Sequence, residues 1–293
     1  MISCKNMRML WVIAGAAILS AQDFSKIQVE KIAAGYQYTE GPAWSRDGFL
    51  LFSDVPTGRI IKLTPGEPPA VFRASSGGAH GSAFDLQGRL VTCEAAARRL
   101  TRTDKKGAVE VLAERFEGKR LNAPNDVAIR KDGHLYFTDP AFGSQAAARE
   151  LDFYGVYHLS PKGELALVAK TPGRPNGVAL SPKGDRLYVT DSDQRLIRLW
   201  DIDRAGRATN ERVFVSGIEG PPNGIKTDEK GAVWVAAKAL LVFSEDGKPT
   251  AKLEMPEPPA NLAFGDADLQ TLYLTAQKNV YRIRVDRRGH VVQ

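Results

Sequence analysis

A phrase of about fifteen residues returns six times along the chain, and no other feature restricts its fold as sharply. Each copy starts at a polar residue, in four cases followed by Gly, and runs through an apolar strand, a turn and a second apolar strand. The copies begin at Glu40, His80, Asn125, Asn176, Asn223 and Asn261, so the intervals are 40, 45, 51, 47 and 38 residues. A period of about 40 to 50 residues supplies four strands, which is one propeller blade; leucine-rich and ankyrin units are shorter, and helical repeats need a 3.6-residue periodicity that is absent. The two further strands of each unit are also readable, as in Arg59 to Thr64 and Ala70 to Arg73, or Leu196 to Trp200 and Arg212 to Val215. The sixth unit is one strand short, and the segment from Ile27 to Ile32 is expected to complete it from the N-terminal side, closing the ring and removing its open edge. The fold predicted is all-β, a six-bladed β-propeller with four-stranded antiparallel blades. The longest interruption, Phe142 to Leu151, reads as a loop over one face with one short helix.

Composition adds little constraint. With 43% hydrophobic and 25% charged residues the chain is an ordinary globular one. The net charge of +6 is spread in runs of at most two Lys or Arg, which argues against a nucleic-acid partner. Lys5 and Arg8 precede an apolar run from Met9 to Leu19, with Ser20 and Ala21 after it, the pattern of a secretory signal. Eleven apolar residues fall short of the roughly 17 to 25 a spanning helix needs, which weighs against the alternative of a membrane anchor. Residues 1–21 are therefore read as a removable signal and 22–293 as one propeller domain of an exported protein, periplasmic or secreted, with no membrane span after cleavage. Cys4 lies in the signal, so Cys93 stands alone and cannot form an internal disulfide; its apolar strand context reads as packing.

In a blade of this kind the start of the first strand and the end of the second lie on the same face. That places Glu40, His80, Asn125, Asn176, Asn223 and Asn261 around one mouth of the channel, with Asp54, Glu94, Asp139 and Asp191 beside them. Carboxylate and amide oxygens with few sulfur or imidazole groups suit a hard cation such as Ca²⁺. Asn before Gly also serves as a turn residue, and Asp at a strand end can simply hold a turn, so each position taken singly carries both readings. The recurrence of the set favours a site.

The motifs Glu40-Gly-Pro-Ala-Trp44, Arg120-Leu-Asn-Ala-Pro-Asn-Asp126 with Tyr136-Phe-Thr-Asp-Pro140, and Pro175-Asn-Gly177 with Leu187-Tyr-Val-Thr-Asp191 resemble the senescence marker protein, gluconolactonase and luciferin-regenerating enzyme family of six-bladed propellers, over nearly all of the chain after the signal. The resemblance implies a divalent cation, usually Ca²⁺ and sometimes Zn²⁺ or Mg²⁺, held by Glu40, Asn176 and the residue at 223. It also implies that Asn125 contacts the substrate or a water on the metal; Asp126 is read with it as substrate-binding, and Asp139 and Asp191 as supporting the site from behind. Two positions depart from the family. Its fifth-blade motif is Pro-Asp-Gly, whose Asp is both ligand and general base, whereas this chain has Pro222-Asn223-Gly224; an amide can ligate but cannot take up a proton near neutral pH. Close relatives commonly carry Asn where this chain has His80, which is either a replacement base or added ligand, or a solvent-facing turn residue.

The function expected is a metal-dependent lactonase or related esterase-type hydrolase, acting by cation-assisted attack of water on a small sugar-like lactone, with the base left open among His80, Glu40 and a metal-bound hydroxide, and activated phosphoesters as a lesser substrate class. The alternative is a propeller weakened in catalysis that binds a carbohydrate or a protein at the mouth. A serine hydrolase is disfavoured because no Gly-x-Ser-x-Gly elbow occurs, and neither a phosphate-binding loop nor a dinucleotide fingerprint is present.

Overall fold

The computed structural model describes residues 24–291; the segment read as a signal, 1–21, lies outside them. Six four-stranded antiparallel sheets surround a central axis, the six-bladed propeller expected. The first blade is Thr39–Ser45, Phe49–Asp54, Arg59–Leu63 and Ala70–Arg73, innermost to outermost. The innermost strands of the next four are Ala79–Phe84, Val127–Ile129, Pro175–Leu180 and Ile225–Thr227. The last blade is Asn261–Gly265, Thr271–Ala276 and Asn279–Arg284, completed on its outer edge by Glu30–Ala34. That closing strand lies further along the chain than the 27–32 expected. Phe24, Ile27 and Val29 instead pack onto the apolar cluster of Trp234, Phe264 and Leu272, and pairing starts at Glu30, opposite Arg282 and ion-paired to it at 2.7 Å. The interruption in the third blade is a 3₁₀ helix, Gly143–Ala148. A small hairpin of Arg115–Phe116 with Lys119–Arg120 was not foreseen; two residues a side carry no periodicity to read.

Local chemistry forms the blades. Four of the six inner hairpins turn on Asp or Ser followed three residues later by Gly, as in Asp228 to Gly231. There the Asp228 carboxylate accepts from Lys230 N (3.0 Å) and Ala232 N (2.9 Å), and Gly231 takes φ +85°, which other residues rarely adopt. The core is divided among the blade junctions, as apolar faces of neighbouring sheets require. Leu51, Ile60 and Leu90 fill the first junction, Val91, Phe137 and Tyr157 the second, and Tyr136, Val178 and Trp200 the third. At about 1.5–3 kcal/mol for each large apolar side chain removed from water, these junctions supply most of the rigidity on which the axial residues depend. Among the described residues no helix is long and apolar enough to cross a membrane.

Candidate active site

The inner strands meet at one end of the axis, where every blade is hydrogen-bonded to the next. Ser53 Oγ donates to His80 O (2.9 Å), Gly81 N to Asn125 O (2.7 Å), Thr138 Oγ1 to Asn176 O (2.5 Å), Thr190 Oγ1 to Asn223 O (2.6 Å) and Gly224 N to Ala260 O (2.9 Å). Thr39 Oγ1, donating to Asn279 O at 2.9 Å, joins the last blade to the first. This close ring explains the glycines. A Cβ on Gly41 would sit 1.9 Å from His80 O, and one on Gly177 2.3 Å from Asn223 O. The turn reading of Asn176-Gly177 is therefore set aside: both residues lie in an extended inner strand, and Gly is there because the neighbouring backbone leaves no room. Asn223-Gly224 continues the fifth blade's ladder in the same way, through Asn223 N to Ala236 O and Ala236 N to Gly224 O.

Glu40, 3% exposed, is the acidic side chain of the ring. Its Oε2 accepts from Gly41 N (2.9 Å) and Asn261 Nδ2 (3.2 Å), and its Oε1 from Asn223 Nδ2 (3.1 Å). Burial, reinforced by the nearby Asp126 charge, pushes its pKa up to about 7 against the pull of those three donors. Asn176 directs Nδ2 to Ser192 Oγ at 3.0 Å, and Ser192 passes the chain on to Pro222 O at 2.8 Å. The Oδ1 atoms of Asn176 and Asn223 are both buried without a hydrogen-bond partner. Two unpaired amide oxygens beside a buried carboxylate would be costly in an ordinary interior, and they are the donors a hard cation uses. Among the described residues no group of three His, Cys, Asp or Glu could hold a metal, so any cation site here relies on amide oxygens.

Asn125 Nδ2 faces His80 Nδ1 at 3.4 Å on the same rim. Burial pulls the His80 pKa down to about 4, leaving a neutral imidazole near pH 7. Asp126 does not open to the mouth. It is 1% exposed, and its carboxylate accepts from Val127 N (2.9 Å) and Val178 N (3.3 Å), so its place is beneath Asn125, away from a ligand at the rim. The acids at the second-strand ends also turn away from the channel. Asp139 accepts from Asn122 N and Ala123 N, both at 2.7 Å, and so fixes the approach to Asn125; burial pushes its pKa up to about 7 against those bonds. Asp191 lies opposite Pro175, accepts from Gln194 N (3.0 Å) and meets Arg198 at 3.3 Å. Asp54 holds Gln37 N and Tyr38 N, and Glu94 pairs with Arg73 and Arg99, so neither reaches the axis.

Sequence reasoning passed over four contributors: the bridging hydroxyls of Thr138 and Thr190, Ser192 behind Asn176, and Tyr38. The Tyr38 hydroxyl is raised above its ordinary pKa by burial and then by the Glu40 charge, which places the two close together. The threonines carried a signal, since each stands one residue before the acid that ends its second strand.

Comparison with known proteins agrees with this geometry. Residues 38–278 match the family described as the SMP-30/Gluconolactonase/LRE-like region. The gluconolactonase of Zymomonas mobilis is 32% identical, over 89% of this chain and 82% of its own. The solved gluconolactonase of Xanthomonas campestris is 31% identical and superposes with a TM-score of 0.85 over 92% of this chain and 93% of that one. A calcium-binding protein, regucalcin, from Agrobacterium tumefaciens shares the fold at 20% identity, with a TM-score of 0.75 over 90% and 97% of the two chains. With the family match spanning most of its length and its inner strands set as described, the chain belongs to the SMP-30/gluconolactonase/LRE-like family.

Proposed function

We propose that this protein is a lactonase of the gluconolactonase kind, hydrolysing a small sugar-derived lactone at the polar ring with the help of a divalent cation. One observation carries the cation: the buried Glu40 carboxylate lies in the same ring as the unpartnered Oδ1 atoms of Asn176 and Asn223. These three residues would hold it, Ca²⁺ being favoured by an all-oxygen donor set, with Mg²⁺ or Zn²⁺ as alternatives. When bound, the cation supplies polarisation of the lactone carbonyl and stabilises the charge that develops on its oxygen.

The side chains do the rest. Asn125 and His80, paired on the rim, offer an amide and a neutral imidazole to the hydroxyls of a sugar lactone. In hydrolysis the water oxygen bonds to the carbonyl carbon, the ring C–O bond breaks, and one proton passes from water to the departing ring oxygen. We assign the carrying of that proton to Glu40, through the carboxylate oxygen that the cation leaves free, because an imidazole lowered to about 4 is a poor acceptor near neutrality. Asn223 cannot take this part, its amide having no basic site.

The test is hydrolysis of D-glucono-1,5-lactone and of pentonolactones by chelator-treated protein, before and after Ca²⁺, Mg²⁺ or Zn²⁺ is restored. Cation-dependent turnover that falls at least about a hundredfold in Glu40→Ala is expected. Saturable lactone binding without turnover under any cation would favour the second reading, a carbohydrate-binding or protein-binding propeller, for which the neutral Asn223 is the specific observation. Export rests on residues 1–21; N-terminal sequencing of protein recovered outside the cytoplasm should begin near residue 22, and a start at Met1 would contradict it.

A further inference from the structure

Beneath the ring the channel widens into a cavity of about 100 Å³ with largely apolar walls, among them Trp44, Phe84, Ile129, Leu180 and Phe264. One lysine enters it. Lys226 stands three residues beyond Asn223, on the inner strand of the fifth blade. Its Nζ donates to Ile225 O at 3.0 Å and lies 3.6 Å from Asp126 Oδ2, with the side chain only 24% exposed. Asp126, in turn, is tied to the third and fourth blades through Val127 N and Val178 N, and its charge reaches Glu40. Three ionisable groups therefore share a poorly screened space: the carboxyl groups of Glu40 and Asp126 and the amine of Lys226. Lys226 lies against Asp126, whereas Glu40 is met only by the neutral donors Gly41 N, Asn223 Nδ2 and Asn261 Nδ2.

We propose that Lys226 is a positioning residue that sets how tightly the ring holds a divalent cation, acting through the Asp126 carboxylate without touching the ion. The proposal rests on the cation reading above. Oxygen-ligand cation sites tune affinity by the negative charge gathered around them. Here that charge is lowered twice, by an amide at 223 and by an ammonium behind the ring.

Calorimetric titration of the chelator-stripped full chain with CaCl₂ tests the idea without recourse to activity. Lys226→Met is expected to tighten the Ca²⁺ dissociation constant about tenfold, while Lys226→Arg, which keeps the charge, stays within about threefold of the wild type. Asp126→Asn should weaken binding, and the double variant Lys226→Met/Asp126→Asn should return near the wild-type value, a sign pattern that loss of packing would not produce. Thermal unfolding in chelator identifies which variants are folded, and the Lys226 pair suffices should Asp126→Asn not fold. Saturable wild-type binding with unchanged or weaker affinity in Lys226→Met overturns this inference alone. No saturable binding in either protein removes the cation reading and the inference with it.

Discussion

Asn223 donates one Nδ2 hydrogen to Glu40 and keeps a buried Oδ1 without a partner, so it supports the carboxylate and still presents an oxygen to the channel. Replacing it by Asp would set two carboxylates side by side. In chelator their repulsion should lower the unfolding midpoint, whereas with Ca²⁺ the added charge should tighten binding by about tenfold or more, measured by calorimetry. A variant whose affinity and chelated stability both match the wild type would show that position 223 lies away from the cation. His80 is expected to behave differently. In the function proposed above, its contact with Asn125 sets it beside the substrate, so His80→Asn should raise KM while leaving the acid limb of the kcat profile where it was. A displaced or missing limb in that variant would return the proton to His80.

The inner strand is the element that turns these residues into a site. In four blades the polar residue that leads into it (His80, Asn125, Asn176 or Asn223) offers its carbonyl to the preceding blade, and in four the residue after the polar one is Gly because the neighbouring blade fills the space. Gly177→Ala should therefore cost about 1–3 kcal/mol by overpacking against Asn223 O, and should weaken Ca²⁺ binding by displacing Asn223; equilibrium unfolding and a Ca²⁺ titration check both. Unchanged stability would mean that the blades can separate at this junction at little cost. The blades were legible in the sequence because every copy repeats the same order of polar residue, apolar strand and turn, with Gly in the turn of the first five. The ring residues were legible because that order puts them in register. What crosses between copies was not. Asp126 and Lys226 lie a hundred positions apart and meet only because the third and fifth blades face a common axis. Likewise, whether Asp54 or Asp139 turns to the channel or to its own loop is settled by the free backbone N–H groups of that loop.

At the scale of the whole molecule, closure keeps the ring in place. The strand Glu30–Ala34 joins the outer edge of the last blade, and Thr39 ties the first blade to Asn279, so the six junctions support one another around the circle. A rigid frame of this sort can hold two unpaired amide oxygens and a strongly buried carboxylate that a looser structure would relax away, and a cation binding only the folded chain should add its binding free energy to stability. The most direct measurement is the thermal unfolding midpoint of chelator-stripped protein titrated with Ca²⁺, with Mg²⁺ and Zn²⁺ in parallel, for the wild type and Asn176→Ala. The expected result is a saturable rise in the wild type, of about 2.7 kcal/mol in stability at a hundredfold excess over the dissociation constant, that is greatly reduced in Asn176→Ala. A folded wild-type protein whose midpoint does not move with any of the three ions would contradict the account of the ring as a cation site.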